Sequence, residues 1–297
     1  MRAGAALRVT HGRRSCAGSA AAEAGAQFPF TIYASFGEHY ISVSSESSSL
    51  LSHVARNLEP MLALEPVGSA AGTFYISEAQ GALSTGEEGS TAQHRCDDLH
   101  SAVRVLHHAV IKRFIDVRPD LLWIHAGVVA FAGRALVLAA PAGQGKSTMV
   151  GELLEWGCTY LSDEVAPIDP VKRAVLPFPV SPWKRVTTNE NYPPERLHEI
   201  PKVPVRLAST VVAAAPVSLG QIYLLRHVQH STATPIVPCS PAMAVLEMSR
   251  NSFNSQESRA VEFGRLCEVA SRVQAAYLDY ADATEAAQRI IAVAPLA

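Results

Sequence analysis

"RALVLAAPAGQGKSTMVGELL", residues 134–154, decides how the rest of the chain is read. An apolar run, Leu136–Ala140, leads into a glycine-punctuated loop. The loop opens a segment whose Met149, Val150, Leu153 and Leu154 recur at helical spacing. Strand, tight loop and helix in that order bring successive backbone N–H groups and a helix N-terminus together on an anion. The pattern is G-x-x-x-x-G-K-[ST], with Ala140 in the place of the first glycine, at a strand exit where a methyl group is bearable. Gly143 and Gly145 let the backbone approach a phosphate chain, Lys146 reaches its β- and γ-phosphates, and Ser147 is placed to hold Mg²⁺. A chance Gly/Ala loop ahead of a helix is the bland alternative, and the complete order of parts weighs against it.

The chain has 297 residues, 48% hydrophobic and 18% charged, enough for one large domain or two modest ones with a proper core. A formal net charge of -2 makes no electrostatic case for nucleic acid. No apolar run is long enough to span a bilayer. The five cysteines, Cys16, Cys96, Cys158, Cys239 and Cys267, are odd in number and scattered, which suggests reduced thiols in the cytoplasm. Residues 1–27 are rich in Ala, Gly and Arg, without periodicity, and are expected to be a disordered N-terminus. An Arg-rich, acid-poor start also fits a transit peptide, and that reading stays open.

Residues 28–96 read as a small α+β region. "FPFTIYASFGEHYISVSS" (28–45) alternates around Gly37 as a hairpin does, Ser47–Leu58 suits a short helix, and "GTFYIS" (72–77) suits a strand. "QGALSTGEEGSTAQHR" (80–95) reads as a mobile loop or boundary. Leu99, Val103, Leu106, Val110 and Phe114 then predict an amphipathic helix from about Asp97 to Val117. Residues 97–297 are taken as the catalytic domain. Within it, strands are expected at 158–162, 219–228 and "AYLDYA", with short strands and loops over the Pro-rich 170–216. A long helix is expected from about Ser255 to Ala275, and a final helix capped by Asp282 with Glu285.

Two placements follow from this order. If Ala132-Gly133 is a two-residue turn, Phe131 pairs with Arg134 and the register brings His125 opposite Ala140, at the mouth of the loop. His125 is then either a satisfied core histidine or a catalytic one. A strand, helix, parallel-strand unit also brings "SDE", Ser162, Asp163 and Glu164, to the edge of the sheet that carries the loop. Two carboxylates there can divide the work of binding Mg²⁺ and accepting a proton from a hydroxyl, although an acidic turn at a strand end reads the same way.

With those residues in place, "IHAGVVAFAGRALVLAAPAGQGKSTMVGELLEWGCTYLSDEVAPID" resembles the catalytic domain of HPr kinase/phosphorylase and the wider HPr kinase-related group. A looser similarity runs on through "PVSPWKR" and "KVPVRL" to "EMSRNSFN". The resemblance implies an α/β fold with a P-loop kinase core of the HPr kinase/phosphoenolpyruvate carboxykinase type, an ATP- and Mg²⁺-dependent activity, and transfer to a hydroxyl, typically serine. On the matching positions it implies that Ala142, Gly143, Gln144, Gly145, Lys146, Ser147 and Thr148 hold the nucleotide. It implies Asp163 as general base, Glu164 and Asp163 with Ser147 at the metal, and His125 orienting the site. Lys184, Arg185 and Lys202 are candidates for phosphate or acceptor charge, with solvated surface residues as the simpler reading of each. Glu164 stands where the family usually has a second aspartate. No counterpart is found of the segment that grips HPr, so the resemblance points to the branch that modifies a serine on a ribosomally made peptide, such as a lasso-peptide precursor. The related kinases often form rings, so a homo-oligomer is expected.

Other classes fit less well. A transport ATPase would carry an LSGGQ-like signature and a GTPase an N-K-x-D base reader, and neither is present. A metal site from His94, Cys96, His100 and His107 or His108 is more simply a set of surface histidines. The expectation is therefore an ATP-dependent kinase acting on a peptide, protein or small-molecule hydroxyl. An ATP-binding regulatory protein is the alternative.

Overall fold

Alternating strands joined by glycine turns build the first of two units, Met1–Val117; the second is Arg118–Ala297. The structure is a computed structural model and describes residues 10–11, 28–141, 143–185, 202–228, 234–253 and 259–294.

In the first unit, strands β1 (Thr10–His11), β2 (Phe30–Phe36) and β3 (His39–Ser45) are followed by helix α1 (Ser48–Leu58) and strands β4 (Leu62–Ala63), β5 (Ser69–Ala79), β6 (Ala82–Glu87) and β7 (Gln93–Cys96), then helix α2 (Leu99–Val117). The sheet runs β1-β2-β3-β5-β6-β7, with β4 beside β2. The 28–45 hairpin and the Ser47-capped helix form as the sequence predicts. Three expectations change. Thr10 and His11, inside the segment expected to be disordered, pair with Thr31 and Phe30; the rest of 1–27 lies outside the described residues. The expected loop at 80–95 is largely strand. Gln80 and Gly81, both at positive φ, make the tight turn, and Ser77 and Ser84 hydrogen-bond across the pair at 2.8 Å. Finally, α2 clusters with the first unit, whereas the sequence pattern groups it with the residues that follow.

The second unit contains β8 (Leu122–Ile124), β9 (Ala126–Phe131), β10 (Arg134–Ala139), α3 (Lys146–Glu155), β11 (Thr159–Ser162), β12 (Ala166–Asp169), β13 (Ala174–Val175), β14 (Trp183–Arg185) and β15 (Lys202–Pro204). These are followed by β16 (Val217–His227), β17 (Ile236–Cys239), α4 (Pro241–Arg250), α5 (Arg259–Arg272), β18 (Gln274–Tyr280) and α6 (Ala283–Val293). The architecture is mixed α/β. Among the described residues its main sheet has nine strands, with β11-β9-β10-β16-β18-β17 in order and β13-β12-β8 as a branch from β16. One apolar layer, with Val245, Met248, Leu266 and Val269, sits under α4 and α5. The other, with Met149, Val150, Leu153 and Ile290, sits under α3 and α6. Each such side chain contributes about 1.5–3 kcal/mol by leaving water.

Ala132 and Gly133 both take positive φ, the type I′ turn, and pairing runs from Phe131↔Arg134 to Ala126↔Ala139. The expected β10-helix-β11 unit also forms, but β9 lies between the two strands and pairs antiparallel with both. At its far end α3 stops at Gly157 (φ 80). The Cys158 N–H donates to the Leu153 carbonyl and the Gly157 N–H to that of Leu154, the glycine stop the sequence predicts. No helix of the described residues is long and apolar enough to cross a membrane.

Candidate functional site

The loop leaves β10 at Ala140, whose methyl is buried in the layer that holds Met149 and Val150. Gly143 (φ 86) and Gly145 (φ 77) take left-handed conformations that suit glycine, and Gly145 caps α3. A Cβ on Gly145 would also run into the Tyr280 hydroxyl. That hydroxyl donates to the Gln144 carbonyl at 2.6 Å, and the His227 N–H donates to Gln144 Oε1 at 2.9 Å. The loop is thus fastened to the ends of β16 and β18. Lys146 is 7% exposed, and its Nζ donates to the carbonyls of Ala140 (2.7 Å) and Pro141 (3.1 Å), which solvate the buried ammonium. Ser147 and Thr148 are exposed on the first turn of α3, where backbone amides have no partner within the helix. Ala142 lies outside the described residues.

On the other side of the loop stands His125, at the break between β8 and β9. Its N–H donates to the Asn251 carbonyl (2.6 Å), and its ring meets that of Phe253 edge-on at 5.8 Å. Nδ1 lies 2.8 Å from the Glu164 carbonyl oxygen, which can only accept, so Nδ1 carries the proton. Burial, and then the Lys146 charge, lower the His125 pKa below 6.5 against the opposing pull of Glu164. The ring is therefore neutral at pH 7, with an acceptor lone pair on Nε2.

Asp163 and Glu164 follow β11 in a turn fixed by Ser162, whose Oγ accepts from the N–H groups of Glu164 and Val165. Asp163 is 8% exposed, and its Oδ1 lies 3.7 Å from where a Cβ on Gly127 would be. That same Cβ would approach Val150 to 2.6 Å, so only glycine lets α3 close onto β9 here. Burial, and then the nearby Asp163 and Glu164 charges, push the Tyr160 hydroxyl well above its ordinary range.

The fold thus brings Lys146, His125, Asp163 and Glu164 to one edge of the sheet. The Ser147 hydroxyl and the two carboxylates are oxygen donors, the set that a hard divalent cation takes. An open pocket of about 360 Å³ lies beside His125, lined by Pro141, Glu247, Arg250, Asn251 and Phe253. The backbones of Lys184 and Arg185 on β14 and Lys202 on β15 pair in a separate two-stranded sheet, Arg185 against Lys202. Their side chains lie outside the described ones. None of Tyr280, His227, Asn251 and Phe253 was assigned a role from sequence; Asn251 and Phe253 lie in the quoted "EMSRNSFN" stretch, and the local signal of Tyr280 and His227 is their position at strand ends.

No family model matches the chain, and no curated protein matches it. Among solved structures, the Hpr(Ser) kinase/phosphatase from Coxiella burnetii is similar at 9% identity and a TM-score of 0.31. The match covers 58% of this chain and 92% of that one, a coarse likeness of fold.

Proposed function

We propose that the chain is an ATP-dependent kinase that moves the γ-phosphoryl group to a hydroxyl, in the simplest case a serine of a peptide or protein. The observation that carries this reading is the shared edge. A buried carboxylate, Asp163, and a neutral His125 stand beside a glycine loop that holds a buried Lys146. The amides of the loop and of the first turn of α3 bind the phosphate chain, and Thr148 and Ser147 flank it. Lys146 offsets charge developing on the transferred group. Asp163 accepts the proton of the attacking hydroxyl, and the Nε2 lone pair of His125 orients that hydroxyl. Ser147, Asp163 and Glu164 would hold Mg²⁺, which supplies neutralisation of the phosphate oxygens. The acceptor enters through the pocket beside His125, where Phe253 and the Glu247–Arg250 pair suit a side chain flanked by peptide groups.

The test is transfer from γ-labelled ATP with Mg²⁺ into an extract of the source organism, with the wild type run beside Asp163→Asn. A discrete labelled acceptor, lost with the variant, is the expected result. ATP binding by both proteins with labelling by neither would favour an ATP-binding regulatory protein.

A further inference from the structure

The loop has two unlike sides. It leaves β10, which lies between β9 and β16. On the β9 and β11 side stand His125, Asp163 and Glu164. On the other side the parallel strands β16 and β18 end together at the paired residues His227 and Tyr280, at the carboxyl edge where α/β sheets receive ligands. The Tyr280 ring is buried. The His227 ring is exposed and meets it edge-on at 5.5 Å and 74°. His227 continues the row Tyr223, Leu225 along β16, so by strand alternation it falls on the sheet face that carries α3 and its N-terminal loop. The His227 backbone is joined to the Gln144 side chain, so the ring stands within one residue's reach of the loop.

This gives a bound nucleoside triphosphate a direction. The phosphoryl group to be transferred must face Asp163 and His125, and the rest of the molecule must run away from them. We infer that the nucleoside lies on the β16 side, with its base stacked on the imidazole of His227 and Tyr280 supporting that ring from below. The inference rests on the phosphate-loop reading above and adds to it the base subsite and the polarity of the ligand. An aromatic ring stacks on any flat base, so His227 contributes affinity for the nucleoside portion and none for the phosphates.

The test compares ATP with inorganic tripolyphosphate, both with Mg²⁺, by calorimetry on the full chain. Substituting His227 leaves its backbone N–H, and hence the tie to Gln144, in place. His227→Ala is expected to weaken ATP roughly 5- to 50-fold and to leave tripolyphosphate within about twofold. His227→Phe, which keeps a stacking ring, is expected to restore ATP. Unchanged ATP affinity in His227→Ala, or equal loss of both compounds, would overturn the inference. A wild type that binds tripolyphosphate and ATP equally would also overturn it. A wild type that binds neither would bring down the phosphate-loop reading itself.

Discussion

The Nδ1 of His125 donates to the backbone carbonyl of Glu164 across 2.8 Å, joining the break between β8 and β9 to the turn that follows β11. A carbonyl acceptor fixes the tautomer of the ring as well as its position. With burial and Lys146 lowering its pKa, the neutral form of His125 is favoured, and that form presents the Nε2 lone pair.

A pH dependence follows. Burial, and then Lys146, hold His125 below 6.5 in the folded chain, so between that lowered value and 6.5 the unfolded chain takes a proton that the native one refuses. This contribution to stability is complete above pH 6.5 and is lost as pH falls through the folded value. Titration of the imidazole by NMR should give a value below 6.5 in the wild type and a higher one in Lys146→Met.

Gly127 is where α3 meets β9. Gly127→Ala puts a methyl group 2.6 Å from Val150 in a filled layer and should cost about 1–3 kcal/mol in urea unfolding. A change within about 0.5 kcal/mol would mean that the helix and strand pack more loosely than described.

The tie between Tyr280 and the loop can be read by a double-mutant cycle. Tyr280→Phe removes the bond to the Gln144 carbonyl and should cost about 1 kcal/mol. Gly145→Ala meets both the positive φ and the Tyr280 hydroxyl. It should therefore be more damaging in the wild type than in Tyr280→Phe, where the hydroxyl is gone. Strictly additive losses would show that the hydroxyl does not crowd position 145.

Cys158, buried just before β11, has its thiol pushed up to about 11 by burial. Mass spectrometry after alkylation at pH 8 should find it unmodified in the native protein and modified after denaturation.

Much of the geometry of the candidate site was legible because it is built from near neighbours. The Ala132-Gly133 turn sets the β9–β10 register, and from that register the position of His125 follows by counting. The direction of β11 followed from the helix before it, but β9's place between β10 and β11 did not, since pairing across a sheet is not encoded in either strand. Helix α4 went unpredicted even though Ser240 caps it and Pro241 opens it, both usual start signals. The supports of the loop were out of reach for a different reason. Tyr280 lies 136 residues from Gln144, and His227 lies 83 from it, so only the folded sheet brings them together.

The central claim is that Lys146 holds the nucleotide and Asp163 carries the chemistry. The measurement that tests it most directly sets ATP binding by calorimetry beside labelled transfer to the acceptor, for the wild type, Lys146→Met and Asp163→Asn. Lys146→Met should lose most of both. Asp163→Asn should keep binding within a few-fold and lose transfer by roughly 10²- to 10⁴-fold. An Asp163→Asn protein that transfers phosphate at the wild-type rate would contradict the account.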